Sequence, residues 1–158
     1  HRWRVGIGAN IECTVLVAEN PDDPLEPITY TPAQYKFPKG ESFKHSNLKW
    51  VDYEGLSSFP VPDPVLAARL RDECSRFFLE LKAASFGRCD LRIDKAGTPY
   101  MLEINANCGI YYPPADYGSA DICLALDPAG HEGFTSRTAF CEQQALNQET
   151  DCPSSPTA

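Results

Sequence analysis

The sequence predicts an α+β fold, an antiparallel sheet with one long helix, about residues 64–84, packed on one face. Three patterns carry that expectation. Apolar side chains recur at three- and four-residue steps from Leu66 to Leu81. Two alternating runs flank a glycine turn between Arg88 and Asn105. A β-branched run spans Ile11 to Val17. At 158 residues the chain suffices for one domain with a core, not for two full-sized ones.

Taken in order, Ile11-Glu12-Cys13-Thr14-Val15-Leu16-Val17 reads as a strand and Asn20-Pro21-Asp22-Asp23-Pro24 as a turn. One or two short strands follow around Ile28–Tyr30 and Gln34–Phe37. Residues 41–62 are aromatic, charged and irregular, and are expected to form a long loop. Asp63-Pro64 starts the helix, because an N-cap acceptor precedes a proline whose missing N–H costs nothing there. Leu66, Leu70, Cys74, Phe77, Phe78 and Leu81 form its apolar stripe. Arg88–Asp94 and Pro99–Asn105 predict a β-hairpin turned at Lys95-Ala96-Gly97. A glycine- and proline-bearing loop covers 106–117, and a short helix is expected from Ser119 to Leu126. From residue 135 the pattern dissolves into polar residues, so 135–158 is read as a disordered tail.

Composition narrows the function. Hydrophobic residues make up 42% and charged residues 23%, which excludes wholesale disorder. No apolar run reaches the roughly 20 residues of a membrane helix. A membrane is therefore not an expected partner, and the net charge of −8, which repels phosphate backbones, argues against nucleic acid as well. A small anionic ligand would need locally placed cations or a metal ion. The seven cysteines are odd in number and lack the C-x-x-C spacing, which favours reduced thiols in an intracellular, cytoplasmic protein. The three histidines are scattered, so a His/Cys metal site is not expected. The chain opens on His1 with no basic-then-apolar leader, and is expected to be a piece of something longer.

The hairpin holds the candidate site. Arg88, Asp90, Arg92 and Asp94 alternate with Cys89, Leu91 and Ile93, so the two sets face opposite ways. Glu103 and Asn105 share a face of the second strand. A four-residue loop pairs Asp90 with Glu103; a three-residue loop separates them unless a bulge intervenes. If they meet, their repulsion must be offset. A hard divalent cation on Asp90, Glu103 and the Asn105 carbonyl oxygen would do so. The alternative is a set of solvated outer-face residues.

The runs Gly-Arg-Cys-Asp-Leu-Arg-Ile-Asp (87–94) and Tyr-Met-Leu-Glu-Ile-Asn-Ala-Asn-Cys-Gly (100–109) resemble the metal-binding hairpin of ATP-grasp enzymes, and among these the D-alanine–D-alanine ligase family. Ser-Phe-Lys-His-Ser-Asn-Leu-Lys-Trp (42–50) is similar to that family's lysine-bearing loop, and Ile-Glu-Cys-Thr-Val (11–15) to its glutamate-bearing strand. The resemblance implies a partial, C-terminal ATP-grasp domain over residues 1–134. It implies an ATP- and Mg-dependent carboxylate–amine ligase working through an acylphosphate, with the full-length protein a possible homodimer and the fragment alone inactive. By the same resemblance Glu12 would accept from the ATP ribose, and Lys49 would reach the terminal phosphates. Arg88 would face the transferred phosphoryl group. Asp90, Glu103 and Asn105 would hold Mg, and the Gly109 N–H would help form an oxyanion hole.

The chain departs from that family at both ends. No Gly/Ser-rich phosphate loop precedes Glu12, and Gly6-x-Gly8 alone is too weak a motif for one. Proline occupies about the position where the ligases carry a substrate-seating serine, so D-alanine is not supported as acceptor. A non-catalytic nucleotide- or metal-binding remnant, or an acidic interaction domain of inherited fold, stands as the alternative.

Overall fold

The computed structural model describes residues 11–37 and 57–150, with side chains to residue 147. Six strands form one antiparallel sheet: β1 (Ile11–Ala18), β2 (Ile28–Thr29), β3 (Ala33–Lys36), β4 (Ser57–Pro60), β5 (Phe86–Ile93) and β6 (Pro99–Asn105). Their order is β4-β3-β1-β5-β6, and β2 pairs with the end of β1. Three helices accompany them among the described residues: α1 (Pro64–Glu80), α2 (Ser119–Ala125) and α3 (Gly130–Thr150). This is the expected mix of helix and antiparallel sheet.

β1 is the central strand and is buried on both faces, which its run of Cys13 to Ala18 satisfies without a polar gap except Thr14. Its odd residues Cys13, Val15 and Val17 meet Leu70, Cys74 and Phe78 of α1 and Cys89, Leu91 and Ile93 of β5. Leu70, Cys74 and Phe78 are four apart, so they form one stripe along the helix. Asp63 caps α1 through Val65 N–H at 2.9 Å, as the sequence predicts. The helix ends at Glu80, four residues before the expected end, because Lys82 turns left-handed at φ +50°.

The opposite face is also covered. Leu16, Ala18, Tyr30 and Ala33 pack under Ala120, Cys123 and Leu124 of α2 and Phe134 of α3. Phe134 lies edge-on to Tyr30 and Phe86, with ring centroids 5.6 and 5.2 Å apart.

Two expectations need correction. Ser57–Pro60, placed in the long loop, is an edge strand paired with β3 from Ala33↔Pro60 to Lys36↔Ser57. It is short and ends in proline, a composition tolerated at a sheet edge and indistinct from a loop by pattern. Residues 135–150, read as disordered, are helical. Phe134 anchors that helix in the core, and Thr135, Ser136 and Thr138 return their hydroxyls to carbonyls four residues back. Residues 151–158 lie outside the described residues.

Six cysteines fall in the described part, all as free thiols and all but Cys141 buried. Burial pushes the Cys13 thiol up to about 12, with the neighbouring Glu12 charge adding to the effect. Burial likewise pushes Cys123 up to about 12. Such thiols act as small hydrophobes. No described helix is long and apolar enough to cross a membrane.

Candidate functional site

The hairpin register decides whether the acidic residues meet. Asp94 N–H donates to Thr98 C=O, which leaves three residues, Lys95 to Gly97, in the turn. Gly97 takes φ +79°, open to glycine at no steric cost. Asp94, given no role from sequence, accepts from the Ala96 and Thr98 N–H groups at 2.9 and 2.8 Å and so shapes the turn. The Thr98 hydrogen bond foremost holds the Asp94 carboxyl below the usual carboxylate range. A three-residue turn pairs Ile93 with Pro99, Arg92 with Tyr100 and Leu91 with Met101. Between Leu91 and Asp90 the register shifts, leaving Leu102 as the extra residue. Beyond that bulge Asp90 faces Glu103 and Arg88 faces Asn105.

The bulge therefore brings together the residues the sequence singled out. On the sheet face toward α2, Arg88, Asp90, Glu103 and Asn105 occupy the corners of one small quadrilateral. Glu12 lies on the same face, buried, two residues along β1 from Thr14 and across from Arg92. Lys49 lies outside the described residues.

Within the quadrilateral, Arg88 is the organising cation. Its Nε donates to Asp90 Oδ1 at 2.9 Å and its Nη2 to Oδ2 at 2.6 Å, a bidentate pair. The same Nη2 stands 4.0 Å from Glu103 Oε1. Burial lowers the guanidinium's affinity for its proton, but the Asp90 hydrogen bond and charge outweigh that and hold it above the ordinary arginine value. Thr14, opposite Asp90 on β1, donates from Oγ1 to Asp90 Oδ1 at 3.0 Å. The repulsion between Asp90 and Glu103 is thus already offset by a side chain of the protein.

Asp90, Glu103 and Asn105 offer two carboxylates and an amide oxygen, a hard-donor set that suits Mg²⁺. Asn105 Oδ1 accepts from Asn107 N–H at 3.0 Å, which fixes the amide's orientation. Glu103 is the exposed member, 60% accessible. No group of three or more His, Cys, Asp or Glu among the described residues is arranged to hold a metal. A cation placed there would take the rest of its ligands from water or phosphate rather than from protein.

Gly109 lies in the loop that follows β6. A Cβ there would come within 2.4 Å of the Tyr112 ring, so that ring lies against its Cα and would have to shift to admit a larger residue. Tyr111 carries φ +71°, unusual for a side chain of its size. Behind this loop lies a carboxylate the sequence reading missed. Asp121, wholly buried, takes the Tyr111, Tyr112 and Gly118 N–H groups and His131 Nε2. One local cue existed: Asp121 is the third residue of α2, where its carboxylate reaches the N–H of the N-cap Gly118. Nothing in the spacing pointed to His131.

Sheet, long helix and glycine loop together have the fold of a partial ATP-grasp domain. Solved structures that share it include D-alanine–D-alanine ligases. The ligase from Bacillus anthracis complexed with ATP superposes with a TM-score of 0.61 at 14% identity, over 90% of this chain and 42% of that one. The Coxiella burnetii ligase gives 0.61 at 10% identity, over 91% and 36%. D-alanyl-alanine synthetase A from Vibrio cholerae gives 0.59 at 14% identity, over 81% and 37%. At such identity the likeness is one of fold, and the chain spans about two-fifths of the length of those structures. No protein-family profile matches the chain. No curated protein matches it in sequence.

Proposed function

We propose that the chain is the C-terminal ATP-grasp portion of an ATP- and Mg²⁺-dependent carboxylate–amine ligase acting through an acylphosphate. The observation that supports this most is the convergence of Arg88, Asp90, Glu103 and Asn105 on one sheet face, achieved through a bulge, on a fold shared with ligases. The same bulge lets Met101 and Ile104 both face the α1 core, so one register serves the packing and the carboxylate face together.

In this reading a substrate carboxylate attacks the terminal phosphorus of ATP and ADP departs. An amine then attacks the acyl carbon and phosphate leaves. Such chemistry is catalysed by positioning and charge neutralisation. Glu12 accepts hydrogen bonds from the ribose hydroxyls, and Lys49 neutralises terminal phosphate oxygens. Bound Mg²⁺, held by Asp90, Glu103 and Asn105, supplies further neutralisation of phosphate charge. The ATP phosphates compete with Asp90 for the Arg88 guanidinium, so nucleotide arrival releases the Asp90 oxygens as donors. The Gly109 N–H stabilises the oxyanion that develops on the acyl carbon. Residues 1–134 form the partial, C-terminal ATP-grasp domain of a cytoplasmic protein, inactive without the rest of the ATP clasp, and a homodimer is the form expected of the full-length protein. A second reading, a remnant that binds nucleotide without turnover, draws on the Arg88–Asp90 pair, which neutralises the site with no metal.

The test is titration of the intact protein with a fluorescent ATP analogue. Binding is expected in the presence of Mg²⁺ and is lost when the metal is chelated. No binding in Mg²⁺ removes both readings.

A further inference from the structure

We propose that Asp121, with His131, is the positioning residue of the amine-acceptor loop, fixing the backbone from Gly109 to Gly118. The role given to the loop rests on the ligase reading; the fixing itself rests on geometry. Oδ1 accepts from Tyr111 N at 2.7 Å and from His131 Nε2 at 2.8 Å. Oδ2 accepts from Gly118 N at 3.2 Å and from Tyr112 N at 3.4 Å. One buried carboxylate thereby gathers both ends of the loop and the first turn of α3. It compensates for the left-handed backbone at Tyr111, whose hydroxyl is also tied to Thr135 Oγ1 at 2.7 Å. Tyr112, aligned by the same carboxylate, then lies against Gly109.

The connection to the carboxylate site is short. Cys123, two residues beyond Asp121, points its thiol to the Thr14 carbonyl at 3.6 Å, and the Thr14 hydroxyl donates to Asp90. α2 thus touches Thr14, the strand neighbour of Asp90, on one side and the loop on the other. His131 is partly exposed between the Tyr111 and Tyr117 rings, with centroids 6.0 and 5.5 Å away. It serves as a donor that completes the carboxylate's partners.

Asp121→Asn is the informative variant, because its NH₂ group would oppose the Gly118 and Tyr112 N–H groups in one orientation and the Tyr111 N–H in the other. Amide hydrogen exchange and ¹⁵N–¹H spectra of the full chain read the outcome. The expected result is about ten- to a hundredfold faster exchange at Tyr111, Tyr112 and Gly118. The Tyr111 proton, downfield in the parent from its short charge-assisted bond, moves upfield. Mg²⁺·ATP affinity, measured on the intact protein, stays within about twofold, because the variant touches none of the groups assigned to nucleotide. His131→Leu reproduces the loop effect, and His131→Gln, which keeps a donor, restores slow exchange. Unchanged exchange and Tyr111 shift in Asp121→Asn and His131→Leu would overturn the proposal. So would loss of nucleotide affinity in step with the loop, which marks a general structural role. If the parent binds no Mg²⁺·ATP, the ligase reading falls, and exchange with the His131→Gln rescue still decides the positioning role.

Discussion

Glu103→Ala is expected to lower the Mg²⁺-dependent ATP affinity of the intact protein by about 100-fold or more while leaving its melting temperature within about two degrees. The contrast follows from where Glu103 sits. Its side chain is largely exposed and Arg88 Nη2, its cationic partner among the described residues, is 4.0 Å away, so it contributes little to the fold. It is also the member of the carboxylate pair that Arg88 does not hold in a bidentate grip. Removing it takes away the donor most available to a metal. Calorimetric titration with Mg²⁺·ATP, run beside a thermal melt, separates the two effects. A variant that binds as the parent does removes the metal assignment from the hairpin.

Phe78→Ala should act in the opposite way, destabilising the protein by about 3–5 kcal/mol without touching the site face. Phe78 is 2% exposed on α1 and packs with Leu70 and Cys74 against the far side of β1 and β5. The cavity it leaves lies among close-packed strands that cannot collapse far. Such a loss is a large share of the roughly 5–15 kcal/mol that holds a domain folded. Urea denaturation measures it as a lower midpoint at unchanged slope. A loss under about 1 kcal/mol would mean that α1 is not seated on the sheet as described.

What was legible in the sequence followed from periodicity. β1, α1 and the hairpin carry strong two- or four-residue patterns, and those patterns placed Arg88 and Asp90 on one face of their strand and Glu103 and Asn105 on one face of theirs. Whether the two pairs met was not legible. It depended on Leu102, whose extra place in β6 is set by the turn at Lys95–Gly97 and by pairing, not by its own chemistry. β4 was hidden because four residues ending in proline carry no alternation worth reading, and its strand character comes from pairing with β3. α3 was hidden by its polar surface, since one aromatic, Phe134, does most of the anchoring. Asp121 was hidden for a different reason: its partners are backbone N–H groups and a histidine ten residues on, which only the folded loop brings together.

In the proposed ligase, Asp90, Glu103 and Asn105 present their oxygens to one metal ion. A crystal structure of the intact protein with Mg²⁺ and a non-hydrolysable ATP analogue tests it most directly. The expected result is a cation about 2.0–2.1 Å from oxygens of Asp90, Glu103 and Asn105, with phosphate oxygens completing its shell and Arg88 turned toward phosphate. A nucleotide bound with Arg88 still bidentate on Asp90, and with no cation between Asp90 and Glu103, would contradict it.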